Sequence, residues 1–365
     1  MHNFTIPIYE PDLTGNEKKY LLEAFDSTWI SSKGKFIDIF EKNFSLKTGI
    51  KNSISVSNGT VALHLALLAL GLKEGDEVIV PSLTYIASVN AITYTGAKPI
   101  FADSLESTWQ IDPESIRKKI SSRTKAILVV HLYGHPCNME EILNISKEFN
   151  LFVVEDCAEA FGSYFNELHV GNFGDISTFS FFGNKTITTG EGGMVSTNSD
   201  ELAEKVKRLK GQGLAPNKEY WHDIIGYNYR MTNICAAIGV AQLEQADRFI
   251  NKKIELVDLY KKLLADAPIS FQKDEPNILN SYWIFSILTR NQTERDALRD
   301  HLREKGVETR PVFFPIHTMP MYKNSLILPI AESLAYRGIN LPSFPGLTKD
   351  QIRFISSEII NFFKR

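Results

Sequence analysis

From about residue 57 to residue 200 the chain alternates helical and extended signals, and this alternation restricts the fold more than any other feature. Residues 61–70 read as an apolar helix closed by Gly71, and 77–80 as a short buried run ended by Pro81. Residues 85–94 are helical, 99–101 extended, 113–120 helical and 126–131 β-rich. An amphipathic helix over 139–149 then leads into another apolar run at 151–155. Strands separated by helices of this length need crossover connections, so the pattern predicts a mostly parallel sheet covered by helices on both faces.

The second half follows a different pattern. Residues 200–210 and roughly 234–264 are long and helical, followed by extended 282–289, helical 293–305, extended 339–343 and helical 349–363. This predicts a large domain over 1–250, with an N-terminal arm over 1–35, and a smaller C-terminal α/β domain over 251–365. The chain is expected to cross between them near 245–255, inside a long helix.

Charge narrows the function classes. A net charge of −3 does not suggest a polyanion-binding surface, so nucleic acid is not expected as a partner, although one phosphorylated small molecule needs only a local pocket. Cys137, Cys157 and Cys235 are odd in number and form no CxxC pair, which favours a reducing, cytoplasmic setting over a disulfide framework or a cysteine zinc site. The N-terminus lacks the basic and apolar regions of a signal peptide, and the apolar stretch 61–72 is too short to span a bilayer.

Four segments can carry chemistry. In LFVVEDCAEAFG, Asp156 follows an apolar run and falls at the carboxyl end of a strand, where open α/β sheets bind ligands. Taken alone, such an aspartate is an ordinary turn or N-cap residue. Glu159 shares its cleft only if the chain turns there. In STFSFFGNKTITTGEGGMVST, Lys185 sits between an aromatic β-prone run and a Gly-rich turn, among apolar or small neighbours that would desolvate its amine and make it nucleophilic. In SNGTVALHLALLALG, Gly59 lets backbone approach a ligand, and the first amides of the helix attract an anion. In GYNYRMTNICAAIG, Asn228 and Arg230 read as a surface turn or a subunit contact.

Competing motifs fail on spacing. Lys185-Thr186 resembles the end of a P-loop, but the positions that need glycine hold Asn184 and Phe179. No GxGxxG follows a strand. His131 and His135 have metal-like spacing, yet they fall at a strand end and in a loop, so no metal is expected.

Together the four segments match the needs of pyridoxal phosphate: a lysine for its aldehyde, an acid for its ring nitrogen and a phosphate cradle. Lys185, Asp156 and residues 57–60 supply these, and Tyr85, after a strand, can stack on the ring.

On these residues the chain resembles the DegT/StrS group of sugar-nucleotide aminotransferases, within the aspartate-aminotransferase-like fold (fold type I). The segments TFSFFGNKTITTGEGGM and EDCAEAFG are specific to that group. VSNGTVALHLALLALG, TYIASVNA, HLYGHPC, YWHDIIGYNYRMTNICAAIG and TRPVFFPIHTMPMY extend the likeness, which runs from STWISSKGK to RGINLPSFPGL.

The resemblance implies roles position by position. Lys185 is the Schiff-base lysine and Asp156 the partner of the pyridine nitrogen. Glu159 lies near the ring hydroxyl, where relatives often have glutamine. Gly59 and Thr60 form the phosphate turn, Ser180 adds a hydroxyl, and Tyr85 stacks. Asn228 reaches the phosphate of a neighbouring subunit, which implies a homodimer with shared sites, or a higher homo-oligomer. Trp29, Ser31, Arg230, Arg310 and His317 border the substrate cleft in relatives.

The implied reaction passes nitrogen from L-glutamate through pyridoxamine phosphate to C4 of a GDP-linked 4-keto-6-deoxy sugar. Three alternatives remain at this point: a UDP- or dTDP-linked sugar, a dehydratase of the same fold and a non-catalytic regulator. Dehydratase relatives carry histidine where this chain has Lys185.

Overall fold

The computed structural model describes residues 4–364, so residues 1–3 and 365 of the expected arm and domains lie outside the described residues. Its centre is a seven-stranded sheet of β1 (Asn52–Val56), β2 (Glu77–Pro81), β3 (Lys98–Ala102), β4 (Thr124–Val130), β5 (Phe152–Asp156), β6 (Ile176–Ser180) and β7 (Gly193–Thr197). The spatial order is β1-β7-β6-β5-β4-β2-β3. β2 through β6 pair in parallel. β7 runs antiparallel to both β6 and β1, so β1 points the same way as the parallel set.

Each strand sends alternate residues to opposite faces, and the two sets find different partners. Val78, Val80, Leu128, Val130, Val154 and Ile176 pack with helices Gly59–Ala69 and Ile86–Tyr94. Ile79, Ile127, Val129 and Val153 pack against helix Met139–Phe149. Burial on both faces explains why these strands read as continuous apolar runs rather than alternating ones.

Helix ends follow local chemistry. Asn58, Asn138 and Ser199 cap the helices that follow them through side-chain oxygens. Thr348 and Gln351 form a capping box at the last helix, Lys349–Phe363.

The expected single helix over 234–264 is instead two, Asn233–Glu244 and Ala246–Leu263, separated at Gln245. The first packs on Phe40, Phe179 and Phe181. The second starts in that core with Phe249 and Ile250 and enters another with Leu256, Val257 and Tyr260. The break re-aims the chain between two packing environments, which no local breaker residue announces.

The C-terminal core surrounds a three-stranded sheet of Phe285–Leu288, Gly338–Leu341 and Arg310–Pro311. Ile6 packs into this core and bridges Val307, and Tyr9 packs against it, so the N-terminal segment joins the C-terminal core. Helices Glu17–Asp26 and Lys35–Thr48, and strands β1 and β7, were not among the elements expected from sequence.

Candidate active site

The carboxyl ends of β1, β2, β4, β5 and β6 converge on one edge, as expected for a ligand site in an open α/β sheet. A cavity of about 620 Å³ opens there. Gly59, Thr60, Tyr85, Asp156, Glu159, Ser180 and Lys185 all line it, although 126 residues separate the first from the last.

Asp156 ends β5. Its Oδ2 accepts from Ser88 Oγ at 2.7 Å, and its Oδ1 from the Ala158 N–H at 3.0 Å. Burial raises its pKa, and these two hydrogen bonds, with the charges of Lys185 and His131, pull it back. Beyond Asp156 the chain turns, with Ala160 N–H on the Cys157 carbonyl at 3.0 Å, and the turn brings Glu159 into the cavity.

Lys185 occupies the turn after β6, its N–H on the Phe182 carbonyl at 2.9 Å. The side chain is 13% exposed, with Nζ 3.9 Å from Glu159 Oε1 and 3.8 Å from the centroid of the Trp283 ring. Burial lowers its pKa, and Glu159 and Asp156 oppose that shift. Glu159 Oε2 accepts the Tyr133 N–H at 2.8 Å, and burial pushes its carboxyl up to about 7. Both partners are thus drawn toward their uncharged forms. Tyr133 holds a positive φ of 59°, a strained setting for a non-glycine residue, at a point where its N–H serves the site.

The anion cradle is built by close approach. The Asn58 side chain takes the Val61 N–H, and the Asn58 carbonyl the Ala62 N–H. The first two helical N–H groups, of Gly59 and Thr60, have no acceptor within the helix. A methyl group on Gly59 would lie 2.8 Å from Ser180 Cβ, so glycine is what brings this helix start against the end of β6. Tyr85, 56% exposed, stands at the mouth, its ring centroid 5.6 Å from that of Phe313.

Other expected residues lie elsewhere in the single chain. Asn228 and Arg230 are bonded to each other, away from the cavity lining, and Arg230 is exposed. Trp29 is 56% exposed, and the carbonyls of Trp29 and Ser31 serve Asn233. Arg310 is exposed and paired with Glu308. His317 is buried, with Nδ1 2.7 Å from Ser82 Oγ and Nε2 3.2 Å from Glu332. The structure therefore gives His317 a packing role beneath the cleft instead of a place on its lining.

Several lining or supporting residues escaped the sequence reading. Ser88 sits three residues after Tyr85, at the start of the same helix, a spacing that could have pointed to it. Trp283 and Phe313 come from the C-terminal half and carry no local signal.

His131, Glu155 and Cys157 lie close enough to suggest a buried metal centre. The ligand atoms are already committed, however. Glu155 accepts from Gly171, Phe173 and Gly174 N–H groups at 2.7, 2.8 and 2.6 Å and lies 3.1 Å from His131 Nε2. His131 Nδ1 accepts the Cys137 N–H at 3.0 Å, which leaves Nε2 as the donor to Glu155. The cluster ties the loop 171–174 to β4 and β5.

Residues 11–360 match the family described as DegT/DnrJ/EryC1/StrS aminotransferases. The chain belongs to that family. It is 60% identical to the GDP-perosamine synthase of Escherichia coli O157:H7 over 359 residues, 98% of each chain. It is 50% identical to the GDP-perosamine synthase of Vibrio cholerae, over 98% of this chain and 99% of that one. A Streptococcus pneumoniae protein assigned as a sugar aminotransferase, solved in its PLP-form, superposes with a TM-score of 0.93 at 26% identity, covering 98% of each chain.

The family's cofactor is pyridoxal phosphate, and the cavity suits it on its own chemistry. Lys185 offers a partly desolvated amine, Asp156 a fixed carboxylate, and Gly59, Thr60 and Ser180 a phosphate cradle that a Cβ at position 59 would fill. Asn184 Oδ1 is buried beside Lys185 and has no partner among the described residues, as an acceptor awaiting a ligand would be. Among the described residues no helix is long and apolar enough to cross a membrane.

Proposed function

We propose that the protein is a pyridoxal-phosphate-dependent 4-aminotransferase. It transfers nitrogen from L-glutamate to GDP-4-keto-6-deoxy-D-mannose and yields GDP-perosamine, an amino sugar donor for O-antigen and lipopolysaccharide synthesis. The observation that carries this reading is the pairing, in one cavity, of the Lys185 amine with the buried Asp156 carboxylate. The substrate follows from the two relatives named above.

When bound, pyridoxal phosphate supplies an electron sink for the carbanion left when the substrate's α-proton departs. The protein supplies the rest. Asp156, held by Ser88 and Ala158, would keep a proton on the pyridine nitrogen. Lys185 would tether the cofactor, and its amine, when free, would be placed to take up and give back the substrate's α-proton. Burial favours the neutral amine that this requires. Glu159 Oε1 lies 3.9 Å from that amine and would face the cofactor's ring hydroxyl. Gly59, Thr60 and Ser180 would hold the phosphate, and Tyr85 would cover the ring.

We place the active enzyme as a homodimer, or a higher homo-oligomer, in the cytoplasm. Asn228 and Arg230 belong to the same segment as Tyr220 and Ile225, which are 94% and 87% exposed, and a second copy would give these residues a site to complete. All three cysteines are free thiols, which suits a reducing compartment. In that assembly Trp29, Ser31, Arg230 and Arg310 are candidates for sugar-nucleotide contacts.

The test is an amino-transfer assay with glutamate and 4-keto-6-deoxy sugars on GDP, UDP and dTDP. Preference for the GDP sugar is expected, whereas preference for another carrier overturns the substrate while sparing the cofactor chemistry. Borohydride should fix the cofactor to Lys185. Lys185→Ala should lose activity by about a thousandfold or more.

A further inference from the structure

Behind the cleft, Lys253 lies fully buried in helix Ala246–Leu263. Among the described residues no carboxylate is within ion-pair distance of it, and its Nζ donates to the Trp283 carbonyl at 2.7 Å. Burial, reinforced by the charge of Lys185, pushes its amine down to about 7. A buried amine without a carboxylate partner is costly wherever it charges. Methionine would fill the same space without that cost, so the amine itself has a role here.

That role is visible in the contacts. Trp283, held by Lys253, donates from Nε1 to the Asn184 carbonyl at 2.6 Å and lays its ring 3.8 Å from Lys185 Nζ. Tyr9, whose ring centroid is 5.5 Å from Lys253 Nζ, donates from its hydroxyl to the Lys185 carbonyl at 2.6 Å. Two consecutive carbonyls of the lysine-bearing turn are thus gripped from outside it. The grips come from the N-terminal segment and from the segment leading into strand Phe285–Leu288. Both meet at Lys253.

We propose that Lys253 is a positioning residue for Lys185, fastening Trp283 and, with Tyr9, clamping the Asn184–Lys185 backbone so that the reactive amine is presented at one point in the cleft. This rests on the reading of Lys185 as the catalytic amine. A turn after a strand is otherwise free to shift, and small displacements of a reacting group are expensive in rate.

The experiment compares Lys253→Met with the parent enzyme as cofactor-loaded protein. Readouts are kcat, KM for both substrates, and visible circular dichroism per mole of bound cofactor, which reports how rigidly the cofactor is held. The expected result is a fall in kcat of about tenfold or more with KM within about twofold, together with a weakened visible dichroism. Trp283→Phe, which keeps a ring but deletes the donor to Asn184, should give the same signature. A folded Lys253→Met enzyme with unchanged kcat and dichroism overturns the proposal. So does a loss of kcat that merely tracks the fraction of cofactor bound. If Lys253→Met does not fold, Trp283→Phe and Tyr9→Phe decide by the same criteria. Lys185→Ala, run alongside, separates the two levels: retained transamination there sinks the reading of Lys185 itself.

Discussion

Gly59→Ala puts the anion cradle to its sharpest test. The glycine lies in the first turn of helix Gly59–Ala69 and outside the positive-φ region, so backbone strain plays no part. Helix propensity alone favours alanine, by up to about 1 kcal/mol. The new methyl would lie 2.8 Å from Ser180 Cβ and 3.1 Å from Ser180 Oγ. Neither wall can yield easily. Ser180 is held in β6 opposite Gly193, and Gly193 itself leaves only 2.5 Å between its own ideal Cβ position and the Asn58 carbonyl. Overpacking of this kind costs about 1–3 kcal/mol, so the overlap outweighs the propensity gain and a net loss of about 1–2 kcal/mol is expected. Denaturant unfolding of the cofactor-free protein measures it. Cofactor affinity should fall by about tenfold, because the Gly59 and Thr60 N–H groups move with the helix start.

Ser180→Gly supplies the control. It removes the colliding atom and leaves Ser180 Cα at 3.4 Å, an ordinary contact. The double variant should therefore recover about 1–2 kcal/mol relative to the sum of the single variants. Additive losses, or a Gly59→Ala protein at least as stable as its parent, would refute the argument that steric closeness makes the cradle.

Two further outcomes follow from the buried carboxylates. Ser88→Ala deletes a 2.7 Å donor to Asp156 and leaves a buried charge under-satisfied. A hydrogen bond to a charged group is worth about 1.5–3 kcal/mol, so cofactor affinity or kcat should fall by roughly ten- to a hundredfold, read by absorbance titration and steady-state kinetics. Glu159→Gln tests the group raised to about 7 from an ordinary 4.5. Between those values the folded cofactor-free protein binds a proton that the unfolded chain does not, so Glu159 costs the fold stability as pH rises through that window. The glutamine variant should therefore gain stability relative to the parent between about pH 4.5 and 7, with no further gain above. A flat difference across that range would remove Glu159 as the titrating group.

Much of the region built on the seven-stranded sheet was readable because its signals are local. Helices Met139–Phe149 and Asp200–Lys210 have the predicted bounds, being amphipathic, capped and bounded by polar residues. β2, β4 and β5 follow from apolar runs that both sheet faces bury. β7 is less legible, since Gly193 and Thr197 dilute its signal and its antiparallel place between β1 and β6 depends on pairing across the chain. The break at Gln245 is invisible for the same reason: what bends the chain is the change of packing partner, not a proline or glycine.

The pair proposed to carry the reaction divides along the same line. The placing of Lys185 between an aromatic strand and a Gly-rich turn, and of Asp156 at the end of an apolar run, was legible in the sequence alone, because strand ends and tight turns are short-range features. What the tertiary structure alone decided is the environment around both side chains. Trp283 covers the Lys185 amine from 98 residues away, Ser88 anchors Asp156 from another crossover unit, and Lys253 and Tyr9 hold the turn from distant parts of the chain. Desolvation and hydrogen bonding act through space over a few ångströms, and only folding brings such distant residues within that range.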